Sequence, residues 1–163
     1  MEAFKSFITE QKDDKYKVVI LTSKDSDKSI TAQKLSKEAS KLNLVNTVIG
    51  FDGATLRFDD GKYFIHSMDD EKGFQVSSSD TIIFIRGTPT KDSHLNLISE
   101  FERLGFCCVN NRTTINICAD KYRSYVRLKD YGLVQPKTVL IPNKKMIDFA
   151  LESLDTKFPI IMK

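Results

Sequence analysis

Thr81-Ile82-Ile83-Phe84-Ile85-Arg86-Gly87-Thr88-Pro89 decides how this chain is read. Its first five residues form a continuous apolar run of strand length, rich in β-branched and aromatic side chains, as in a strand buried on both faces. Gly87 and Pro89 then break the run. Arg86, Gly87 and Thr88 are left at the carboxyl end of a buried strand, where open α/β sheets place their ligand sites.

Working outward from this strand, Lys17-Val18-Val19-Ile20-Leu21 is a second apolar run, followed by a polar loop over 22–28. Ala32, Leu35, Ala39 and Leu42 recur at three- and four-residue spacing, which predicts a helix from Ser29 to Leu42 with one narrow apolar stripe. Val45 to Ile49 is the next strand. Leu56-Arg57-Phe58 and Lys62-Tyr63-Phe64-Ile65 flank Asp59-Asp60-Gly61, the signature of a β-hairpin whose glycine supplies a positive φ.

After the deciding strand, Leu97, Ile98, Phe101 and Leu104 line one helical face, Gly105 ends the helix, and Phe106 to Val109 forms another short strand. Strand, helix, strand, hairpin, strand, helix, strand is an α/β pattern, and it predicts a mainly parallel sheet flanked by helices. Arg86 and Asn110 both fall at carboxyl ends of its strands. The pattern restarts after Asn111, with a helix from Asn116 to Tyr131, a strand at Thr138 to Ile141, a helix from Lys144 to Leu154 and a strand at Ile160 to Lys163. The expected organisation is a helical arm over 1–15, an α/β domain over 16–115, and the beginning of a second domain over 116–163.

Composition bounds the function classes. Apolar residues at 40% and charged residues at 29% suit an ordinary globular protein. The net charge of +3, from 25 basic and 22 acidic residues, is too small to name a polyanionic partner. No run approaches the roughly 18 apolar residues of a membrane span, and Glu2, Lys5, Glu10, Lys12, Asp13 and Asp14 are not those of a signal peptide, so a cytoplasmic location is expected. Cys107 and Cys108 point to opposite faces of their strand and do not share a metal; with Cys118 they are read as small core residues. His66 and His94 lie in no ligand or triad spacing and are read as surface or hairpin residues. Lys121, Tyr122, Arg123, Tyr125, Arg127 and Lys129 interleave charge with aromatic rings, yet at helical spacing they divide over several faces, which favours an amphipathic helix over a nucleic-acid surface. Walker, dinucleotide and Gly-x-Ser-x-Gly motifs are absent.

Taken singly, the remaining motifs are ordinary. A lysine in the first turn of a helix, such as Lys121 after Asp120, is usually a solvated residue, and Pro136 before Thr138 marks a strand entry. Lys163 closing Phe158-Pro159-Ile160-Ile161-Met162-Lys163 suits a snorkelling cation at an edge. Their order is more specific. Arg86-Gly87 after a hydrophobic strand, a helix ending in Leu104-Gly105, Val109-Asn110-Asn111, Asp120-Lys121, Gln135-Pro136-Lys137-Thr138 and the final hexapeptide together resemble the ATP-grasp ligases, in the branch of glutathione synthetase and the ribosomal-protein glutamate ligases. The resemblance covers about residues 82 to 163, where such enzymes join a pre-ATP-grasp domain to an ATP-grasp domain.

The resemblance implies an ATP-dependent carboxylate-amine ligase that works through an acylphosphate, with ATP and magnesium as cofactors and a carboxylate and an amine as substrates. It assigns ATP contacts to Lys121 and Lys163, whose ammonium groups would stabilise charge on the phosphates. It gives Arg86, with Gly87 and Thr88, a role in holding an acceptor carboxylate through the guanidinium fork. Association of copies through the pre-ATP-grasp domain is also implied. The glycine-rich phosphate-covering loop and the metal-binding carboxylates of the family would follow Lys163, so the chain is expected to be the front part of a larger catalyst and inactive alone. The alternative is a stand-alone, non-catalytic α/β binding module.

Overall fold

The computed structural model describes residues 16–23, 28–68, 70, 72–89 and 91–154. The predicted arm over 1–15 and the strand over 160–163 lie outside the described residues. The chain forms two compact units, Met1–Ile115 and Asn116–Lys163.

The first unit is built on a four-stranded sheet of β1 (Lys17–Thr22), β2 (Val45–Gly50), β6 (Thr81–Arg86) and β7 (Cys107–Val109). Its spatial order is β2-β1-β6-β7 and every pairing is parallel. Strand alternation sorts β1 into two cores. Val19 and Leu21 face one side with Ile49, Ile83 and Ile85, where α2 (Asp92–Arg103) contributes Ile98 and Phe101. Val18 and Ile20 face the other side, where α1 (Ile30–Lys41) contributes Ala32 and Ala39. A sheet buried on both faces requires uninterrupted apolar strands, which explains the two runs in the sequence.

The segment between β2 and β6 leaves the main sheet to make an antiparallel one of β3 (Thr55–Asp59), β4 (Lys62–His66) and β5 (Phe74–Val76). Gly61 at the hairpin tip has φ +74°, and Asp60 before it φ +47°, the paired positive values such a tight turn requires. Ile65 and Val76 from this sheet complete the core that α2 covers. The sequence pattern predicted the hairpin and omitted β5. Three residues with one buried side chain carry too little periodicity to be seen, and β5 is defined by its pairing to β4.

The second unit departs further from expectation. The single helix over 116–131 is two helices, α3 (Arg112–Ala119) and α4 (Lys121–Asp130). They break at Asp120 because its backbone is extended and its carboxylate accepts the Arg123 amide at 2.9 Å, capping α4. The helix expected from Lys144 opens as a 3-10 turn over Lys144–Met146 before α5 (Ile147–Leu154). Residues 138–141 form no strand: among the described residues nothing pairs with them, and Leu140 is exposed. Propensity alone does not make a strand without a neighbouring ladder.

Candidate functional site

The chain leaves β1 through α1 to reach β2 on one side, then returns to β6 on the other side of β1. Connections after β1 and β6 therefore diverge to opposite faces, and a crevice opens at their carboxyl ends, the position where open α/β sheets bind ligands. Here a cavity of about 330 Å³ is lined by Thr22 and Ser23 at the end of β1, Lys28 and Ser29 before α1, and Arg86 and Gly87 at the end of β6.

Local sequence explains each wall. Arg86 is in phase with Ile82 and Phe84, so alternation aims it to the face covered by α1. Ser29 caps α1, its hydroxyl accepting the Ala32 amide at 3.4 Å, and the first turn of that helix presents the positive end of its dipole. Gly87 is required by proximity: a Cβ there would lie 2.5 Å from the Ser23 nitrogen and 2.8 Å from its hydroxyl oxygen. The ends of β1 and β6 thus approach more closely than a side chain permits.

The Arg86 side chain is exposed, and no hydrogen bond or ion pair among the described residues engages it. A planar guanidinium at the mouth of a cleft with hydroxyl groups suits a carboxylate or phosphate oxygen pair. Of the residues predicted around it, Gly87 lines the cavity while Thr88 is exposed and does not. Asn111 serves the backbone instead, accepting the Thr114 amide at 2.7 Å at the start of α3.

Lys121 is the first residue of α4 in the second unit and is exposed, which leaves its ammonium open to a phosphate. Lys163 lies outside the described residues. No group of three His, Cys, Asp or Glu suited to a metal is gathered among the described residues. No described helix is long and apolar enough to cross a membrane.

Two expectations about single residues are corrected. Cys107 and Cys118 are exposed, and Cys108 alone packs against the core. Burial pushes the Cys108 thiol up to about 12, with Glu102 and Cys107 adding to the effect. His94 is a core residue, 6% exposed, with its ring stacked on Phe51 at 5.0 Å. Its Nε2 lies 2.9 Å from Asp52 Oδ1, and Lys91 Nζ reaches the same oxygen at 2.5 Å. Hydrogen bonds from Lys91 and then His94 hold the Asp52 carboxyl below its usual 3.8. His94, Ile98 and Phe101 follow helical spacing, and that period was the available signal that His94 faces the core. Asp52 gave no such signal, because its partners lie 39 and 42 residues away.

In comparisons with known proteins, no family model matches the chain and no curated protein matches it.

Proposed function

We propose that this chain supplies an ATP-dependent carboxylate-amine ligase of the ATP-grasp type with its substrate-holding α/β domain and the opening of its nucleotide-binding domain. The observation that carries the proposal is Arg86 in the switch-point cleft: a strand-end guanidinium without a partner among the described residues, on the first motif of the series that resembles the family. The cleft receives the carboxylate of the acceptor through Arg86, with the Ser23 hydroxyl within the same cavity wall. Lys121 and Lys163 hold the phosphates of ATP, which when bound with magnesium supplies the phosphoryl group that activates the donor carboxylate. The parallel sheet with its carboxyl-end crevice supports this division of labour, since the rigid strands fix the acceptor side while the second unit carries the lysine of Asp120-Lys121.

The test has two parts. L-glutamate titrated into the protein should shift the amide resonances of Arg86 and Gly87, and Arg86→Ala should abolish the shift. In a chain extended past Lys163, Lys121→Ala and Lys163→Ala should each weaken binding of Mg-ATP; unchanged affinity in both would remove the assignment. A non-catalytic binding module is the alternative, favoured by the apolar residues exposed in the second unit, among them Val134 at 98%, Leu140 and Phe149. Such a module would take glutamate or another anion in the cleft without ATP binding in the extended chain.

A further inference from the structure

The cleft wall formed by Gly87 is followed within a few residues by the amino end of α2, which has an unusual attachment. Unlike α1 and α4, α2 receives no side-chain cap: its N-cap residue is Lys91, which makes no capping hydrogen bond. Lys91 and His94 instead both reach Asp52, in the 3-10 turn Phe51–Gly53 directly after β2. A carboxylate only accepts, so His94 Nε2 is the donor in its bond. The His94 ring is nine-tenths buried and stacked on Phe51, which fixes its orientation and directs Nε2 at the carboxylate.

We propose that Asp52 is a positioning residue for the switch-point cleft: it latches the amino end of α2 to the end of β2 and so holds in place the chain that leaves Arg86 and Gly87. β2 and β6 lie on opposite sides of β1, and Thr22 is aligned with both Gly50 and Arg86. The connection from β6 to α2 therefore passes close against the end of β1 at Gly87 and Ser23 and is bonded to the turn after β2 through Lys91 and His94 to Asp52. A connection bonded at one end and packed against β1 at the other keeps the guanidinium of Arg86 at a constant distance from the hydroxyl wall, which is the pre-organisation that binding a small anion requires. The effect on ligand rests on the cleft being the acceptor site; the latch itself does not.

Amide hydrogen exchange on the full chain tests the latch directly. The amides of His94 and Leu95 are bonded to the Lys91 carbonyl, so Asp52→Ala should speed their exchange by about tenfold, while Ile20 and Val48 within β1 and β2 keep their rates. Asp52→Asn, which keeps an acceptor for His94 and loses the ion pair to Lys91, should give a smaller acceleration. Unchanged exchange at His94 and Leu95, or an equal acceleration at Ile20 and Val48, would overturn the latch. Where the wild-type protein binds L-glutamate, Asp52→Ala should weaken that binding severalfold, and an unaltered affinity would overturn the positioning role. Failure of the wild-type protein to bind glutamate would count against the cleft as acceptor site, with the exchange rates still deciding the latch.

Discussion

Replacing Gly87 by alanine tests the close approach on which the cleft depends. The added methyl would sit 2.5 Å from the Ser23 nitrogen, 2.8 Å from its Oγ and 3.0 Å from its Cβ. Comfortable contacts of a carbon atom lie near ~3.5 Å or beyond, so the shortfall is about 1 Å. The Ser23 hydroxyl can rotate away, but the backbone nitrogen cannot, because β1 immediately before it is hydrogen-bonded on both sides. The strand ends must separate, an overpacking that costs about 2–3 kcal/mol. Gly61→Ala is the control: nothing lies within 4 Å of its added methyl, and only its φ of +74° is penalised, by about 1 kcal/mol. Urea unfolding of both variants, compared at unchanged m-value, measures the difference. If Gly87→Ala proved no more destabilising than Gly61→Ala, the approach of β1 and β6 would be looser than described and the cleft would lose its defined wall. The same variant should also displace the Ser23 and Arg86 amide resonances.

Iodoacetamide at pH 8 should add two carbamidomethyl groups in the native protein, on exposed Cys107 and Cys118, and a third only on unfolding, because burial keeps the Cys108 thiol protonated; intact mass before and after denaturant reads this out. Acid titration should show the contribution of Asp52. Its carboxyl is depressed in the folded state by Lys91 and His94, so its stabilisation is complete above about 3.8 and is lost as pH falls below that value through the depressed folded one. Stability measured over this interval should fall less steeply in Asp52→Asn than in the wild-type protein, and parallel curves would mean that the contacts to Lys91 and His94 carry no net stabilisation.

The strands of the parallel sheet were legible because burial on two faces leaves a dense local signature. Lys17 to Leu21 and Thr81 to Ile85 contain runs of apolar residues that only a sheet interior accommodates, and β1 and β6 fall on them. The same held for α1, whose residues Ala32 and Ala39 recur at helical spacing and are buried. Arg86 was singled out by its place after such a strand, and it lines the cavity. The other walls of that cavity were not legible: Ser23, Lys28 and Ser29 are unremarkable polar loop residues until the strand order brings β1 beside β6.

Local chemistry in the sequence thus determined where strands and helices form, since hydrophobic period and turn residues act over a few neighbouring positions. The tertiary structure decided which strands adjoin, and with them the crevice, the glycine that permits it and the pairing of Asp52 with Lys91 and His94. It also left residues 138–141 without a ladder among the described residues, whereas the break at Asp120 is local, its carboxylate capping the amide of Arg123 three residues on. The physical reason is common to the non-local cases: a strand partner or an ion pair such as that of Asp52 is an interaction whose second half lies elsewhere in the chain, and no local pattern records its distance.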